Sequence, residues 1–198
     1  MKIDNFDVYD LEKSIKASKY PMAVDIKTLN GDITETVLTL GNSRRGSGHD
    51  NFLHGITVNF DLTCSLKMWI EMQRYHFKDI VSSQSTVHRI THFDIQKQVN
   101  EYVWDSTVQN LQDATNKYNA LKDKSSDEAK DLYLQILYNN PSGFELTARL
   151  TTNYGQLKTM YFQRRNHILP EWQTFCKWIE ELPEFKALCL NQNYKKER

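Results

Sequence analysis

Neither sign of charge predominates in this sequence: 25 Lys and Arg residues balance 25 Asp and Glu, so the formal net charge is zero. A general nucleic-acid coat protein is thereby excluded, because binding a polyanion through bulk electrostatics needs an excess of surface cations. A specific pocket for one small phosphate compound is not. Cysteine is scarce as well, with Cys64, Cys176 and Cys189 widely spaced and odd in number. That fits neither a disulfide framework nor a zinc site, and reads as buried thiols in a reducing compartment. No apolar run approaches the ~18 residues a membrane span needs, and the N-terminus lacks a signal-peptide pattern. The expectation is a soluble, cytoplasmic protein with no membrane contact and no metal site.

What is present suits a folded chain: 39% apolar and 12% aromatic residues over 198 positions, enough for a single domain with a substantial core. Phe6 and Val8 alternate with polar neighbours, and residues 11–17 have the pattern of a short helix. Asn30-Gly31-Asp32 is a turn signal between Val24-Asp25-Ile26 and the alternating run 33–40, which predicts a hairpin. Residues 41–48 (Gly-Asn-Ser-Arg-Arg-Gly-Ser-Gly) form a basic loop whose N–H groups and two guanidinium forks suit a phosphate, although the spacing matches no Walker loop or dinucleotide fingerprint. Residues 56–62 alternate strictly, predicting a strand with Ile56, Val58, Phe60 and Leu62 inward. Leu66, Trp69, Ile70, Gln73, Phe77, Ile80 and Val81 then predict a helix over 65–81.

The remainder reads as helical. Trp104, Val108, Leu111, Thr115, Tyr118 and Leu121 make one stripe, and Ser125 with Glu128 reads as a capping box. Ala129, Leu132, Tyr133, Ile136 and Leu137 form the next buried face. Asn139-Asn140-Pro141-Ser142-Gly143 is a turn; Leu157, Met160 and Tyr161 mark another helix, and Trp172, Phe175, Cys176 and Ile179 one more after Pro170. The tail Lys195-Lys196-Glu197-Arg198 is expected to fray. The fold class is therefore α+β: a small, mostly antiparallel sheet from the first 62 residues, packed by helices from the rest.

The residues with chemistry cluster early. Arg74 and His76, two apart on the expected helix, flank a ridge where arginine suits a phosphate and histidine a carbonyl or ring nitrogen. The plain alternative is a surface arginine and a packed histidine. Ser82, Ser83, Gln84 and Ser85 offer hydroxyl and amide hydrogen bonds that orient a ligand, or simple turn chemistry. No Gly-x-Ser-x-Gly elbow supports a serine nucleophile, and His88 with His92 lacks the glutamate of a metalloprotease helix. Arg164, Arg165 and His167 sit at an expected helix end, where they suit either a phosphate or the helix dipole.

With those residues in view, the chain resembles the flavin-dependent thymidylate synthases over roughly 48–87 and 139–179. That family has a Gly-His loop, a strand, then a helix with Arg-His-Arg-x-x-Ser-x-Asn-Glu-x-Ser-x-Arg-Tyr. Here Gly48-His49 leads into the strand 56–62, followed by Tyr75-His76-Phe77 and Ser82-Ser83-Gln84-Ser85. Pro141, Thr151-Thr152-Asn153, the run from Leu157 to Arg164, and Glu171-Trp172 follow at nearly the family's separations. Tyr75 and Phe77 stand where the family has arginines, Ser83 where it has glutamate, Val87 where its phosphate-gripping arginine falls, and His54-Gly55 where it has Glu-His. Losing one bidentate guanidinium from a phosphate site typically costs about 2–5 kcal/mol. A register shifted by one residue puts Arg74 on the first arginine.

The resemblance implies a homotetramer that moves a one-carbon unit from methylene-tetrahydrofolate, through FAD reduced by NADPH, to C5 of a pyrimidine monophosphate such as dUMP. In that reading His49, Arg74, His76 and Asn153 hold the flavin, while Ser83, Gln84, Ser85, Arg89, Arg164 and Arg165 hold the nucleotide. The alternative expectation is a catalytically inactive homologue that binds a nucleotide or a protein.

Overall fold

The computed structural model describes residues 1–191; the expected fraying of Lys195 to Arg198 lies outside them. Four strands, β1 (Lys2–Tyr9), β2 (Thr57–Ser65), β3 (Asp79–Ser83) and β4 (Glu145–Asn153), form one antiparallel sheet in the order β1-β2-β4-β3. The helices are α1 (Leu11–Ser18), α2 (Glu35–Gly41), α3 (Leu66–Met72), α4 (Thr86–Arg89), α5 (Ile95–Gln98), α6 (Asp105–Ala120), α7 (Asp127–Tyr138), α8 (Tyr154–Arg164) and α9 (Pro170–Glu181). The α+β class expected from the sequence is the class observed.

The central strands follow the period of two that a half-buried strand requires. Val58, Phe60, Leu62 and Cys64 of β2 are buried, as are Leu146, Ala148, Leu150 and Thr152 of β4, with half-buried neighbours between them. β4 is the element that the reading of a helical second half missed. Its alternation over 145–153 is as clear as that of β2, but it was hidden between two amphipathic helices.

Contacts divide the chain into two compact units. One comprises Met1–Ile3, Asp61–Arg74 and Val81–Arg149. Its helix α3 begins at Ser65, whose hydroxyl accepts from Met68 N, and buries Met68, Trp69 and Met72. The Trp69 indole donates to Leu146 O at 3.1 Å, so the one polar atom of a buried ring is satisfied. Helices α6 and α7 pack together; α6 buries Val108, Leu111 and Thr115, and α7 buries Ala129, Leu132 and Ile136. Trp104 precedes α6 and is exposed, so it does not belong to the buried stripe. The cap of α7 is Ser126, which accepts from Ala129 N at 3.2 Å, one residue beyond the expected Ser125; the Ser125 hydroxyl instead donates to Asp123.

The other unit comprises Asp4–Phe60, Tyr75–Ile80 and the described residues from Leu150 onward. Its core is aromatic: Phe60, Tyr154, Trp172, Phe175 and Phe185 are fully buried, and Trp172 meets Phe175 edge-on at 5.7 Å between ring centroids. Helix α9 starts at Pro170, where the missing N–H costs nothing, and buries Trp172, Phe175, Cys176 and Ile179 as its periodicity foretold.

Two expectations fail here. The hairpin is replaced by a short 3-10 turn (Ile26–Thr28) and the helix α2. Thr34 caps α2 by accepting from Val37 N, and Val37 and Gly41, four apart, are its buried residues. Alternation at 33–40 was outweighed by a local cap and by packing at Gly41, where a Cβ would lie 2.3 Å from Leu188 O. The helix expected over 65–81 stops at Met72. Beyond it Phe77, Ile80 and Val81 are exposed, and residues 79–83 pair as the edge strand β3. Two β-branched residues, Ile80 and Val81, favour that pairing over a further helical turn.

Candidate functional site

Helix α8 organises the larger share of the candidate chemistry. Asn153 caps it, its Oδ1 accepting from Gln156 N at 2.9 Å. Four residues into the helix comes Lys158, which is 2% exposed. A buried ammonium is tolerated only when each of its donors is met. Here Nζ donates to Gly41 O at 2.8 Å, Ser43 O at 2.9 Å and Asp50 Oδ2 at 2.6 Å. The three acceptors come from both stems of the basic loop over 41–50, so a single side chain ties that loop down at its two ends.

Above those stems, Gly46 and Gly48 have φ of 77° and 82°, a left-handed conformation that only glycine adopts without strain. Arg44, Arg45 and His49 are exposed on this loop. Arg45 Nη1 donates to Thr159 O at 3.3 Å, and its guanidinium lies 5.8 Å from the centre of the Phe162 ring. Arg165 lies 5.3 Å from the same ring.

At the C-terminal end of α8, Arg164 is held by aromatic side chains. Its Nε donates to Tyr75 Oη at 2.8 Å, and the guanidinium lies 4.8 Å from the Trp172 ring centre and 5.7 Å from that of Tyr75. Tyr75 Oη in turn donates to Gln163 Oε1 at 3.0 Å. Tyr75, standing where the resemblance expects an arginine, is thus a buried platform for another arginine. The sequence named Tyr75 only as a departure from the family's arginine and did not single out Lys158.

Tyr161 and Cys176 are perturbed nearby. Burial, with the bond to Glu180 Oε1 at 2.7 Å, pushes the Tyr161 phenol up to about 12. Burial chiefly pushes the Cys176 thiol up to about 11, so it is no thiolate nucleophile near neutral pH. A shallow groove of about 430 Å³ lined by Tyr161, Glu180, Lys186, Ala187, Leu190 and Asn191 holds none of the residues expected to bind ligand.

The expected residues are placed unevenly. Arg74 and His76 do not ride a helix ridge; both are exposed in the turn that follows α3, because the helix has already ended. Ser83 is the exposed last residue of β3. Gln84 extends the pairing beyond it: its N–H donates to Thr147 O and its Oε1 accepts from Thr147 N, both at 2.9 Å. That carboxamide oxygen is therefore committed to the backbone. Ser85 stands before α4 without making a side-chain cap bond, and Arg89 ends that helix, exposed. His88 and His92 fall on α4 and on a separate 3-10 turn (Ile90–His92), not on one continuous helix face. Among the described residues no group of three or more His, Cys, Asp or Glu is placed to hold a metal ion, and no helix is long and apolar enough to cross a membrane.

The fold, with its four-stranded sheet of order β1-β2-β4-β3, is similar to that of solved flavin-dependent thymidylate synthases. The chain is similar over 100% of its length, and of the other's, to thymidylate synthase X from Helicobacter pylori with FAD and dUMP, at 15% identity and a TM-score of 0.67. A second structure of that enzyme, complexed with FAD and dUMP, gives 0.66 at 13% identity over 97% of this chain and 99% of that one. A UMP/dUMP methylase, PolB from Streptomyces cacaoi, bound with 5-Br dUMP, gives 0.59 at 13% identity over 94% and 89% of the two chains. No protein-family profile and no curated protein sequence matches the chain. The fold that the resemblance implied is the fold found.

Proposed function

We propose that this protein binds a pyrimidine nucleoside monophosphate and transfers a one-carbon unit to its C5, in the manner of a divergent flavin-dependent thymidylate synthase. One observation carries the reading: the structural likeness spans the whole chain, and the neighbours, titled as thymidylate synthase X and a UMP/dUMP methylase, all hold a uracil nucleotide or its 5-bromo analogue. In one unit Arg164, oriented by Tyr75 and Trp172, supplies fixed positive charge suited to a phosphate, with Arg165 as a further cation. In the other, Ser83 and Ser85 offer hydroxyls suited to a sugar and base, and Arg89 a further cation. The Gln84 oxygen is already bound to Thr147 N, which leaves its amide NH₂ for that role.

His49, Arg74 and His76 fit a flavin by their chemistry: imidazole and guanidinium donors on exposed turns, with no side-chain hydrogen bond or ion pair to another described residue. Asn153 fits less well, since its oxygen caps α8. FAD, when bound, would supply the reducing power that makes a methyl group from the carbon delivered by methylene-tetrahydrofolate, with NADPH as the reductant. The test is incubation of purified protein with FAD, methylene-tetrahydrofolate, NADPH and dUMP, followed by mass spectrometry of the nucleotide. A product carrying one added methyl group supports the reading; an unchanged nucleotide from protein that has taken up FAD refutes it.

The commitment of Gln84 and Asn153 to the backbone, with aromatic residues at the two expected arginine positions, favours a second reading: a nucleotide-binding homologue without flavin chemistry. It predicts stabilisation by dUMP, with no uptake of FAD and no turnover. A site shared by several subunits of a homotetramer accords with either reading, and sedimentation of the purified protein checks that assembly.

A further inference from the structure

We propose that the basic loop over residues 41–50, together with Arg165, is a preorganised anion site that takes a phosphate-bearing small molecule. It shares Arg165 with the nucleotide site and His49 with the flavin site of the one-carbon transfer reading, and its test is a binding measurement that needs no turnover. The loop carries Arg44 and Arg45, and its one carboxylate, Asp50, is spent on Lys158. None of the ion pairs among the described residues involves Arg44, Arg45 or Arg165.

Arg45 and Arg165 both lie within 6 Å of the centre of one ring, Phe162, at 5.8 and 5.3 Å. Each gains from that ring, so both guanidinium groups are held near one side chain beside the loop. A phosphate dianion seated on the loop accepts from guanidinium forks. The stems do not have to be ordered at the moment of binding, because the three bonds of Lys158 already fix them. Gly46, at the tip, has open space where a side chain would be, so backbone and ligand can approach closely. The balanced total charge argues against a long polyanion as the occupant.

The test is calorimetric titration of the full chain with sodium pyrophosphate at low ionic strength, on wild type and on Arg44→Ala/Arg45→Ala. Both side chains are exposed, so an unchanged melting temperature serves to show that the variant is folded. The expected result is binding that weakens at least about tenfold in the variant, which loses both exposed guanidinium forks at once. Arg165→Ala is expected to act in the same direction. Competition then identifies the source of the phosphate. Displacement of pyrophosphate by dUMP assigns the loop to the nucleotide's own phosphate, and simultaneous binding assigns it to a second phosphorylated ligand. Absence of pyrophosphate binding to wild type, or equal affinity in the double variant, overturns the proposal whatever the outcome of the turnover assay.

Discussion

Replacing Lys158 by methionine isolates the one buried charge on which the basic loop depends. The ammonium is 2% exposed and its partner Asp50 is 6% exposed, so neither is solvated by water. The substitution keeps most of the aliphatic volume but strands a carboxylate and two carbonyls. Breaking a buried pair by removing one partner costs about 3–5 kcal/mol. For a chain of 198 residues, each kcal/mol lowers the melting temperature by about 2–4 °C. Lys158→Met is therefore expected to melt roughly 6–20 °C below wild type. Adding Asp50→Asn removes the stranded charge while leaving the carbonyls of Gly41 and Ser43 without their donor, so it should recover part of the loss and not all of it. Urea denaturation of wild type, both single variants and the double variant closes a thermodynamic cycle whose coupling energy is expected at about 0.5–3 kcal/mol. A Lys158→Met protein within about 1 kcal/mol of wild type, or a double variant no more stable than Lys158→Met alone, would refute the reasoning.

Gly41→Ala places a Cβ 2.3 Å from Leu188 O, and the backbone must shift to admit it; a loss of about 1–3 kcal/mol is expected by thermal denaturation. Tyr75→Phe removes the oxygen that accepts from Arg164 and donates to Gln163, so dUMP affinity should fall while the fold, losing about 1.5–3 kcal/mol, survives; titration calorimetry and circular dichroism separate the two effects. The thiols of Cys64, Cys176 and Cys189 are all buried, so a thiol reagent should modify them slowly in the native protein and rapidly in denaturant; fast native labelling would contradict that burial. The Tyr161 pKa is raised from an ordinary 10.0 to about 12, so the fold favours the neutral phenol. Its contribution is present below pH 10 and is lost as the pH climbs towards 12. Tyr161→Phe should flatten that part of the alkaline stability curve.

Strand β2, helix α9 and the buried faces of α6 and α7 were legible in the sequence because each is specified by a local period: two for the strand, 3.6 for the helices. The family resemblance was legible too, through the order and spacing of Gly48-His49, His76, Ser85, Asn153 and Trp172. Where local signals competed, tertiary structure decided. Residues 33–40 alternate like a strand, yet they fold as α2 because Thr34 caps them and the glycine at 41 fits against Leu188 O. Residues 73–81 continue a helical pattern, yet they leave the helix to bury Tyr75 and to pair 79–83 at the sheet edge. The roles of Lys158, Tyr75 and Gln84 were invisible for one physical reason. A charge becomes a loop anchor, a lost arginine becomes a platform and an amide becomes a strand partner only through contacts 63 to 117 residues apart in the chain, and no window of sequence contains such pairs.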